Sequence, residues 1–293
     1  ITASLGVCLV PSGAGSTEEV LVHAHGALRR SKREGKNRVA APGSGPHVDP
    51  DELLESIVQG GLPLAVHSQG IYAVETGGLF ATELLVRGPE GPYRLPQDLF
   101  RAAAQADQLV PLDLRCLETC VRAASLQSPS PEHRYHLNVY PATLVDTPIE
   151  RLLALFESGH DPSTFCLEIS EQWLLGEPDL LRIKLQELRN HGLQLALDDV
   201  GFGRSSLESL ILLEPDVLKI DPAVLRGTED ERVRRRSLQR VVDVAGSLGA
   251  AVIAEGAETE GDRSLLRQLG VPFAQGYLFD RPMPQSADGG GAP

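Results

Sequence analysis

Short apolar runs alternate with amphipathic stretches along the chain from residue 51 to residue 285. Each apolar run has the length of one buried strand, and the stretches between runs repeat apolar residues at helical spacing. This alternation is typical of parallel strands joined by crossover helices. The predicted strands are LFATELLVR, YHLNVYP, TFCLEIS, LQLALDD, VLKID, AAVIAEG and PFAQGYLF. The predicted helices cover residues 97–109, 112–125, 149–158, 178–191, 205–213, 229–248 and 260–269.

The length of this zone, about 235 residues, favours an α/β fold of the (β/α)8 TIM-barrel type, which typically needs about 250 residues. A doubly wound open sheet is the alternative. Against it, the glycines of DDVGFG follow a strand, but the third glycine of a dinucleotide-binding fingerprint is missing. The two aspartates would also repel a pyrophosphate.

The remaining segments differ in composition. Residues 1–40 hold a strand-like run and a helical run that is basic toward its end, residues 41–50 are rich in Pro, Gly and Ser, and residues 286–293 are rich in Gly. We interpret them as a piece of a second domain, a linker and a flexible tail around a domain at 51–285. Because the chain begins with Ile, we also expect it to be a fragment of a longer protein.

A polar side chain stands near the end of almost every predicted strand. These residues are Glu83, Asn138, Glu168, Asp198 with Asp199, Lys219 with Asp221, Glu255 with Glu258, and Gln275. In a barrel of parallel strands these ends meet on one face, where barrel enzymes build their active sites. Carboxylate and amide oxygens suit Mg²⁺ or Mn²⁺, and adjacent aspartates can each reach a different ion of a pair. Paired ions of this kind catalyse displacement at phosphorus.

Each of these residues has an ordinary structural explanation when taken alone. A strand-end Glu can be solvated or can cap a helix, Asp199 and Asn138 can be turn residues, and Lys219 can be a salt-bridge partner. The explanation fails for the set as a whole, because it leaves the recurrence at successive strand ends unexplained.

The composition limits the classes of partner that the chain can bind. A net charge of −13 excludes bulk attraction to a nucleic acid polymer, so phosphate must be bound through divalent ions or a local basic cluster. The four cysteines lack zinc spacing, which favours buried reduced thiols and a cytoplasmic location. No apolar run has the length of a membrane span and no signal peptide is visible, so we expect no membrane contact from this fragment.

Residues 51–285 resemble an EAL domain, the family of cyclic di-GMP phosphodiesterases. The motifs occur in the order of the family: ELLVR at 83–87, NVYP at 138–141, EISE at 168–171, DDVGFGRSSL at 198–207, KID at 219–221, EGAET at 255–259, QGYLF at 275–279 and RPMP at 281–284. The resemblance implies hydrolysis of one phosphodiester bond of cyclic di-GMP to give linear pGpG. It also implies a homodimer formed through this domain.

The resemblance further implies a role for each matched residue. Two Mg²⁺ or Mn²⁺ ions would be held by Glu83, Asn138, Glu168, Asp198, Asp199 and Glu255. Glu83, Lys219 and Glu258 would be catalytic, with Lys219 contacting the attacking water or the phosphate. Gln69, Arg87, Asp221 and Gln275 would contact the substrate, and Glu171 would anchor the loop after Asp199.

Residues 1–40 resemble the end of a GGDEF domain, the diguanylate cyclase family. The match rests on SLGV at 4–7 and on the helical segment AHGALRRSKREGKN at 24–37. The resemblance implies that the full-length chain carries GGDEF and sensor domains upstream. The loop that would hold GTP is absent from this chain, so the sequence assigns it no cyclase activity.

The loop after the two aspartates departs from the family pattern at Val200, Phe202 and Arg204, and Tyr140 replaces a serine. None of these changes removes an expected metal ligand. An active phosphodiesterase is therefore favoured over a receptor that binds cyclic di-GMP without turnover. The least favoured hypothesis is a protein-interaction scaffold that neither binds nor hydrolyses cyclic di-GMP.

Overall fold

The computed structural model describes residues 5–7, 39–40, 49–127, 133–157, 161–170, 178–201, 210, 213–226 and 230–285. The chain divides into two units, Ile1–Gln59 and Gly60–Pro293. In the first unit, β1 (Leu5–Gly6) and β2 (Val39–Ala40) pair in parallel, and α1 covers Pro50–Gln59. The proposed GGDEF-like segment lies mostly outside the described residues, and its identity stays a prediction.

The second unit is a closed barrel of eight strands. These are β3 (Ala65–Ala73), β4 (Leu79–Arg87), β5 (Arg134–Asn138), β6 (Phe165–Ser170), β7 (Gln194–Val200), β8 (Val217–Ile220), β9 (Ala251–Ala254) and β10 (Phe273–Ala274). Strands β4 to β10 pair in sequence as parallel neighbours, and β10 pairs with β3 to close the ring. The short strand β11 (Met283–Pro284) adds to the free part of β3. The predicted barrel class is confirmed.

Strand β3 corrects the sequence analysis in two ways. The strand was not predicted, because the polar stretch His67-Ser68-Gln69-Gly70 interrupts its apolar pattern. It also runs antiparallel to both β4 and β10, so the barrel is not wholly parallel. Antiparallel neighbours can be joined by a short hairpin connection, which is why β3 and β4 need no crossover helix.

Helices cover the outside of the barrel. They are α2 (Pro96–Gln105), α3 (Leu109–Ser125), α4 (Pro141–Asp146), α5 (Ile149–Phe156), α6 (Pro178–Asn190), α7 (Pro222–Arg226), α8 (Glu231–Leu248) and α9 (Glu260–Gln268), with a 3₁₀ turn at Pro162–Thr164. The predicted helices match six of these within a few residues, whereas the one predicted at 205–213 lies mostly outside the described residues. Helices α4 and α7 follow their strands at a proline, which presets the first helical turn. No helix in the described ranges is both long and apolar enough to cross a bilayer.

The apolar residues form an outer and an inner core. The outer core packs the helices against the outward faces of the strands. The inner core consists of Ile71, Ala81, Cys166, Ala196, Val217 and Ile253. Because strand residues alternate between faces, residues two positions further along share the inner face of the barrel. We call this inner core the floor of the site, because the polar side chains at the strand ends lie directly above it.

Candidate active site

The strand-end polar residues project from the inner face, directly above the inner core. Along the parallel strands each stands two positions after a floor residue: Glu83 after Ala81, Glu168 after Cys166, Asp198 after Ala196, Lys219 after Val217 and Glu255 after Ile253. On antiparallel β3 the order reverses, and Gln69 stands two positions before Ile71, paired with Glu83. The barrel thus brings together residues that are nearly 200 positions apart in sequence.

Lys219 lies at the centre of this group and is fully buried. Its Nζ lies 2.8 Å from Glu168 Oε2 and 2.8 Å from Glu255 Oε1. Glu83 Oε2 and Asp198 Oδ1 lie at 3.5 and 3.8 Å from the same atom. Burial alone would lower the pKa of Lys219, but the surrounding carboxylates outweigh it and raise that pKa above its usual value. The ammonium therefore stays charged and holds the carboxylates in place.

Glu83 accepts hydrogen bonds at both oxygens. Asn138 Nδ2 donates to Oε1 at 2.8 Å, and Gln275 Nε2 donates to Oε2 at 2.7 Å. Burial would raise the pKa of Glu83, but Lys219 and these two amides overcome that effect and lower it to about 2. Glu83 is consequently an ionised carboxylate with a fixed orientation.

The other three carboxylates experience an excess of negative charge. Burial, together with the neighbouring carboxylates, raises the pKa of Glu168 and of Asp198, and that of Glu255 to about 8. Asp198 Oδ1 is buried and has no hydrogen-bond partner among the described residues. One ammonium cannot neutralise four carboxylates, so this site favours additional positive charge.

The donor set fits hard divalent ions, since it consists of carboxylate and amide oxygens. The side chains surround Lys219 instead of a common vacant point, and in the described part of the chain no three acidic, His or Cys residues stand ready around an ion. The Asp198 oxygen that lacks a hydrogen bond in the described structure and the surplus of carboxylates are the features that favour cations here.

A bulge in β7 lets the two adjacent aspartates face the same cavity. Strand alternation alone would send Asp199 to the opposite face from Asp198. The register between β7 and β8 shifts between Leu197 and Val200, and Asp199 has a φ of 60°. Ser170 Oγ donates to Asp199 Oδ2 at 2.9 Å and stabilises this conformation. Bulges often redirect side chains in this way next to active sites.

A cavity of about 350 Å³ opens beside these carboxylates. Its walls include Glu83, Arg87, Phe100, Asp113, Cys116, Cys120, Asn138, Tyr140, Glu168, Asp198 and Asp199. The rings of Phe100 and Tyr140 lie 5.1 Å apart and form an aromatic side of this space. Volumes of this size accept small ligands. The cavity therefore provides apolar and aromatic surface immediately next to the ionic site.

Several predicted site residues make other contacts. Asp221 Oδ1 accepts the backbone N–H of Ala223 and so caps α7. Glu258 pairs with Arg226 at 2.6 Å, and no hydrogen bond or ion pair connects it to the Lys219 group within the described ranges. Arg87 lines the cavity and donates to the carbonyl of Val86 at 2.9 Å. Glu171, Phe202 and Arg204 lie outside the described residues, whereas Val200 is buried in the outer core.

Sequence reasoning missed two buried partners of the site. His136 Nδ1 lies 2.8 Å from Glu168 Oε1, and its only sequence signal is its position two residues before Asn138 on one strand face. Asp113 Oδ2 accepts the backbone N–H of Tyr140 at 2.9 Å and so holds the segment after Asn138. Asp113 lies on α3, outside any strand-end motif, so only the tertiary packing of α3 reveals its role.

Comparisons with known proteins agree on one family. Residues 51–282 match the EAL domain family. The chain is 35% identical over 243 residues to an uncharacterised protein of Azorhizobium caulinodans, covering 77% of this chain and 32% of that protein. It is 32% identical over 305 residues to a Pseudomonas aeruginosa protein named cyclic di-GMP phosphodiesterase NbdA, covering 98% of this chain and 38% of NbdA.

A solved structure shares the fold. The complex of BlrP1 from Klebsiella pneumoniae with calcium and cyclic di-GMP superposes with a TM-score of 0.68 at 29% identity, over 77% of this chain and 57% of BlrP1. The present chain thus spans about a third of the first two relatives and just over half of BlrP1.

Proposed function

Because this chain belongs to the EAL domain family, we propose that it hydrolyses the second messenger cyclic di-GMP to linear pGpG. The observation that carries the proposal is the convergence of four carboxylates on the buried Lys219 at the carboxyl end of the barrel: Glu168, Asp198, Glu255 and Glu83, the last of which also accepts a hydrogen bond from Asn138. NbdA is named a cyclic di-GMP phosphodiesterase, and the BlrP1 complex contains cyclic di-GMP. Both support cyclic di-GMP as the substrate of this chain.

Two divalent ions, Mg²⁺ or Mn²⁺, would be held by the oxygen donors of the site. The proposed ligands are Glu83, Asn138, Glu168, Asp198, Asp199 and Glu255. Such ions polarise phosphoryl oxygens and lower the pKa of water, which makes hydroxide available near neutral pH. The BlrP1 complexes with calcium and with manganese support a requirement for divalent ions.

The chain's own residues would position the substrate and balance its charge. Lys219 keeps its proton because of its carboxylate neighbours, so it can neutralise a phosphoryl oxygen that approaches the site. Arg87 lines the cavity, where a guanidinium can bind a phosphate with two parallel hydrogen bonds. The buried floor below the carboxylates excludes water, which strengthens each of these interactions.

The cavity volume supports a division of the substrate. At about 350 Å³ the cavity is near the lower limit for ligand pockets, whereas cyclic di-GMP contains two nucleotides. One nucleotide half would lie in the cavity beside Phe100 and Tyr140, and the other would extend over the mouth of the barrel.

The context of the domain is also proposed. The resemblance of residues 1–40 to a GGDEF domain supports a longer signalling protein with upstream GGDEF and sensor domains. A homodimer through the EAL domain and a cytoplasmic location belong to the same proposal.

The test is the appearance of pGpG by chromatography after incubation with cyclic di-GMP and Mg²⁺ or Mn²⁺. Product should form and should stop when a chelator is added. Glu83→Ala should abolish it, because that residue accepts two hydrogen bonds within the site. Glu75→Ala is the matched control, since the Glu75 carboxylate is exposed and pairs with Arg267 at 2.9 Å.

Each result of this test has a clear meaning. Wild-type turnover by Glu83→Ala would remove Glu83 from the metal site. Metal-dependent binding of cyclic di-GMP without any product would identify the domain as a receptor instead of an enzyme.

A further inference from the structure

The seam where β10 meets β3 closes the barrel with few backbone contacts. In the described structure Phe273 pairs with Ala73 and Ala274 with Tyr72, and the Val74 N–H donates to the Pro272 carbonyl at 2.9 Å next to them. The functional residues Gln69 and Gln275 stand on either side of this seam. Their relative position therefore depends on side-chain contacts more than on the sheet itself.

Four residues fasten the seam at its functional end, and we call them the seam clamp: Gly70, Tyr72, Phe279 and Asp280. Asp280 Oδ2 accepts the backbone N–H of Gly70 at 3.0 Å and the hydroxyl of Tyr72 at 3.0 Å. The rings of Tyr72 and Phe279 stack at 4.9 Å with an angle of 8°. Burial and the Asp280 carboxylate raise the pKa of Tyr72 to about 12, so its hydroxyl keeps the proton that it donates.

A chain of hydrogen bonds leads from the seam clamp to Glu83. Gln69 Nε2 donates to the Asp280 carbonyl at 3.3 Å. This bond turns Gln69 Oε1 toward Gln275, whose Nε2 donates to it at 3.2 Å. The same Gln275 Nε2 gives its second hydrogen to Glu83 Oε2 at 2.7 Å. Each amide in the chain thus has its orientation set by the preceding one.

The orientation of Gln275 matters because the opposite one is unfavourable. If its amide were reversed, Gln275 Oε1 would face the Glu83 carboxylate and Gln69 Oε1, which are both acceptors. In the observed orientation Oε1 is buried and has no partner among the described residues. Gln69 and Gln275 are themselves only 8% and 4% exposed, so water cannot easily replace either bond.

We propose that Asp280 and Gln69 are positioning residues: the Asp280 carboxylate fastens its own backbone to Gly70 and Tyr72, the Asp280 main-chain carbonyl then holds Gln69, and Gln69 fixes the Gln275 amide and with it the Glu83 carboxylate. This inference rests on the proposed function. It assigns Gln69 a different role from the direct substrate contact expected from sequence, because the amide of Gln69 is engaged by Asp280 and Gln275 at its two ends.

The test separates positioning from substrate binding. Gln69→Leu keeps the size of the side chain and removes both hydrogen bonds. With saturating Mn²⁺ we expect kcat to fall about 10–100-fold, as for residues that orient metal ligands, while KM for cyclic di-GMP changes less than twofold. A rise in KM with unchanged kcat would show that Gln69 binds substrate directly and would overturn the proposal.

A double-mutant cycle tests whether Asp280 acts through Gln69. Asp280→Ala should lower kcat about tenfold, and Asp280→Asn, which retains an oxygen for Gly70 and Tyr72, should recover most of that loss. The double variant Gln69→Leu/Asp280→Ala should be no slower than Gln69→Leu alone. If the fold-loss of kcat in the double variant equals the product of the two single losses, Asp280 acts independently of Gln69 and the chain of contacts is refuted.

Mn²⁺ binding, followed by electron paramagnetic resonance of the free ion, provides a readout that needs no turnover. Gln69→Leu and Asp280→Ala should weaken Mn²⁺ binding about tenfold, while the exposed Glu75→Ala control keeps wild-type affinity. A wild-type chain that binds Mn²⁺ but yields no pGpG would refute the proposed function, and the Mn²⁺ affinities would then decide the positioning role. Unchanged affinities in both variants would overturn that role.

Discussion

Replacing Lys219 with Met removes the ammonium that lies within 4 Å of four carboxylates while keeping most of the aliphatic side chain. The variant buries the same four carboxylates without that ammonium. At neutral pH and without metal we therefore expect a large loss of stability. Lys184→Met is the matched control, because Lys184 donates to a single neutral acceptor, the Thr147 carbonyl, at 2.7 Å.

The magnitude follows from the burial of the cluster. Removing one partner of a buried ion pair costs about 3–5 kcal/mol, since the remaining charge is left unpaired. For a domain of this size one kcal/mol shifts the melting temperature by about 2–4 °C, so Lys219→Met should lower it by roughly 6–20 °C. Lys184→Met should lose only about 1 kcal/mol, the net value of one ordinary hydrogen bond.

The assay is thermal unfolding by circular dichroism in the presence of a chelator, at pH values from 5 to 8. The raised pKa values of Glu168, Asp198 and Glu255 mean that the folded state binds more protons than the unfolded state. Their contribution to stability therefore decreases as the pH rises, and Lys219→Met should recover stability as the pH falls. Added salt should restore little, because buried charges are weakly screened.

If Lys219→Met and the wild-type chain have the same melting temperature without metal, this reasoning is refuted. It would mean that the carboxylates relax into solvent or take up protons at little cost, and that Lys219 is not their essential counter-ion. A loss that is the same at pH 5 and pH 8 would also contradict it, because the cost would then come from packing and not from charge.

Two further predictions concern the scaffold. Burial raises the pKa of Asp113 to about 7, so the stability that Asp113 contributes should decrease between about pH 4 and pH 7, by on the order of 4 kcal/mol. In urea unfolding at pH 5 and pH 8, Asp113→Asn should flatten that dependence while keeping an oxygen for the Tyr140 N–H; an unaltered dependence would assign it to other groups. Gly276 has a φ of 154°, and an added Cβ would lie 2.2 Å from the carbonyl oxygen of Ala257, so Gly276→Ala should cost roughly 3 kcal/mol. Gly246→Ala, where an added Cβ meets nothing within 4 Å on α8, should instead stabilise by up to about 1 kcal/mol, and equal melting temperatures for the two variants would disprove the steric argument.

The polar strand ends could be read from sequence because strand geometry is local. Alternation with a period of two places Glu168 above Cys166 and Lys219 above Val217 in any parallel sheet. The order of the strands then brings these residues to one rim, and the EAL motifs supply the same set independently. The family and barrel class predicted on this basis are confirmed.

Other features of the site depend on non-local contacts, and a periodic pattern carries no information about them. The bulge that turns Asp199 toward the same cavity as Asp198 arises from the register between β7 and β8. The role of Asp113 arises from the packing of α3 under the segment after Asn138.

The sequence by itself determined that polar side chains stand near the ends of successive strands and that their oxygens suit divalent ions, because both follow from residue type and strand period. Only the tertiary structure decided that β3 runs antiparallel and closes the ring against β10. That closure joins residues about 200 positions apart and brings Asp280 to Gln69 and Gln275 to Glu83. The physical reason is that ring closure is fixed by packing and hydrogen bonding across the whole barrel, whereas a sequence pattern specifies only the neighbours along one strand.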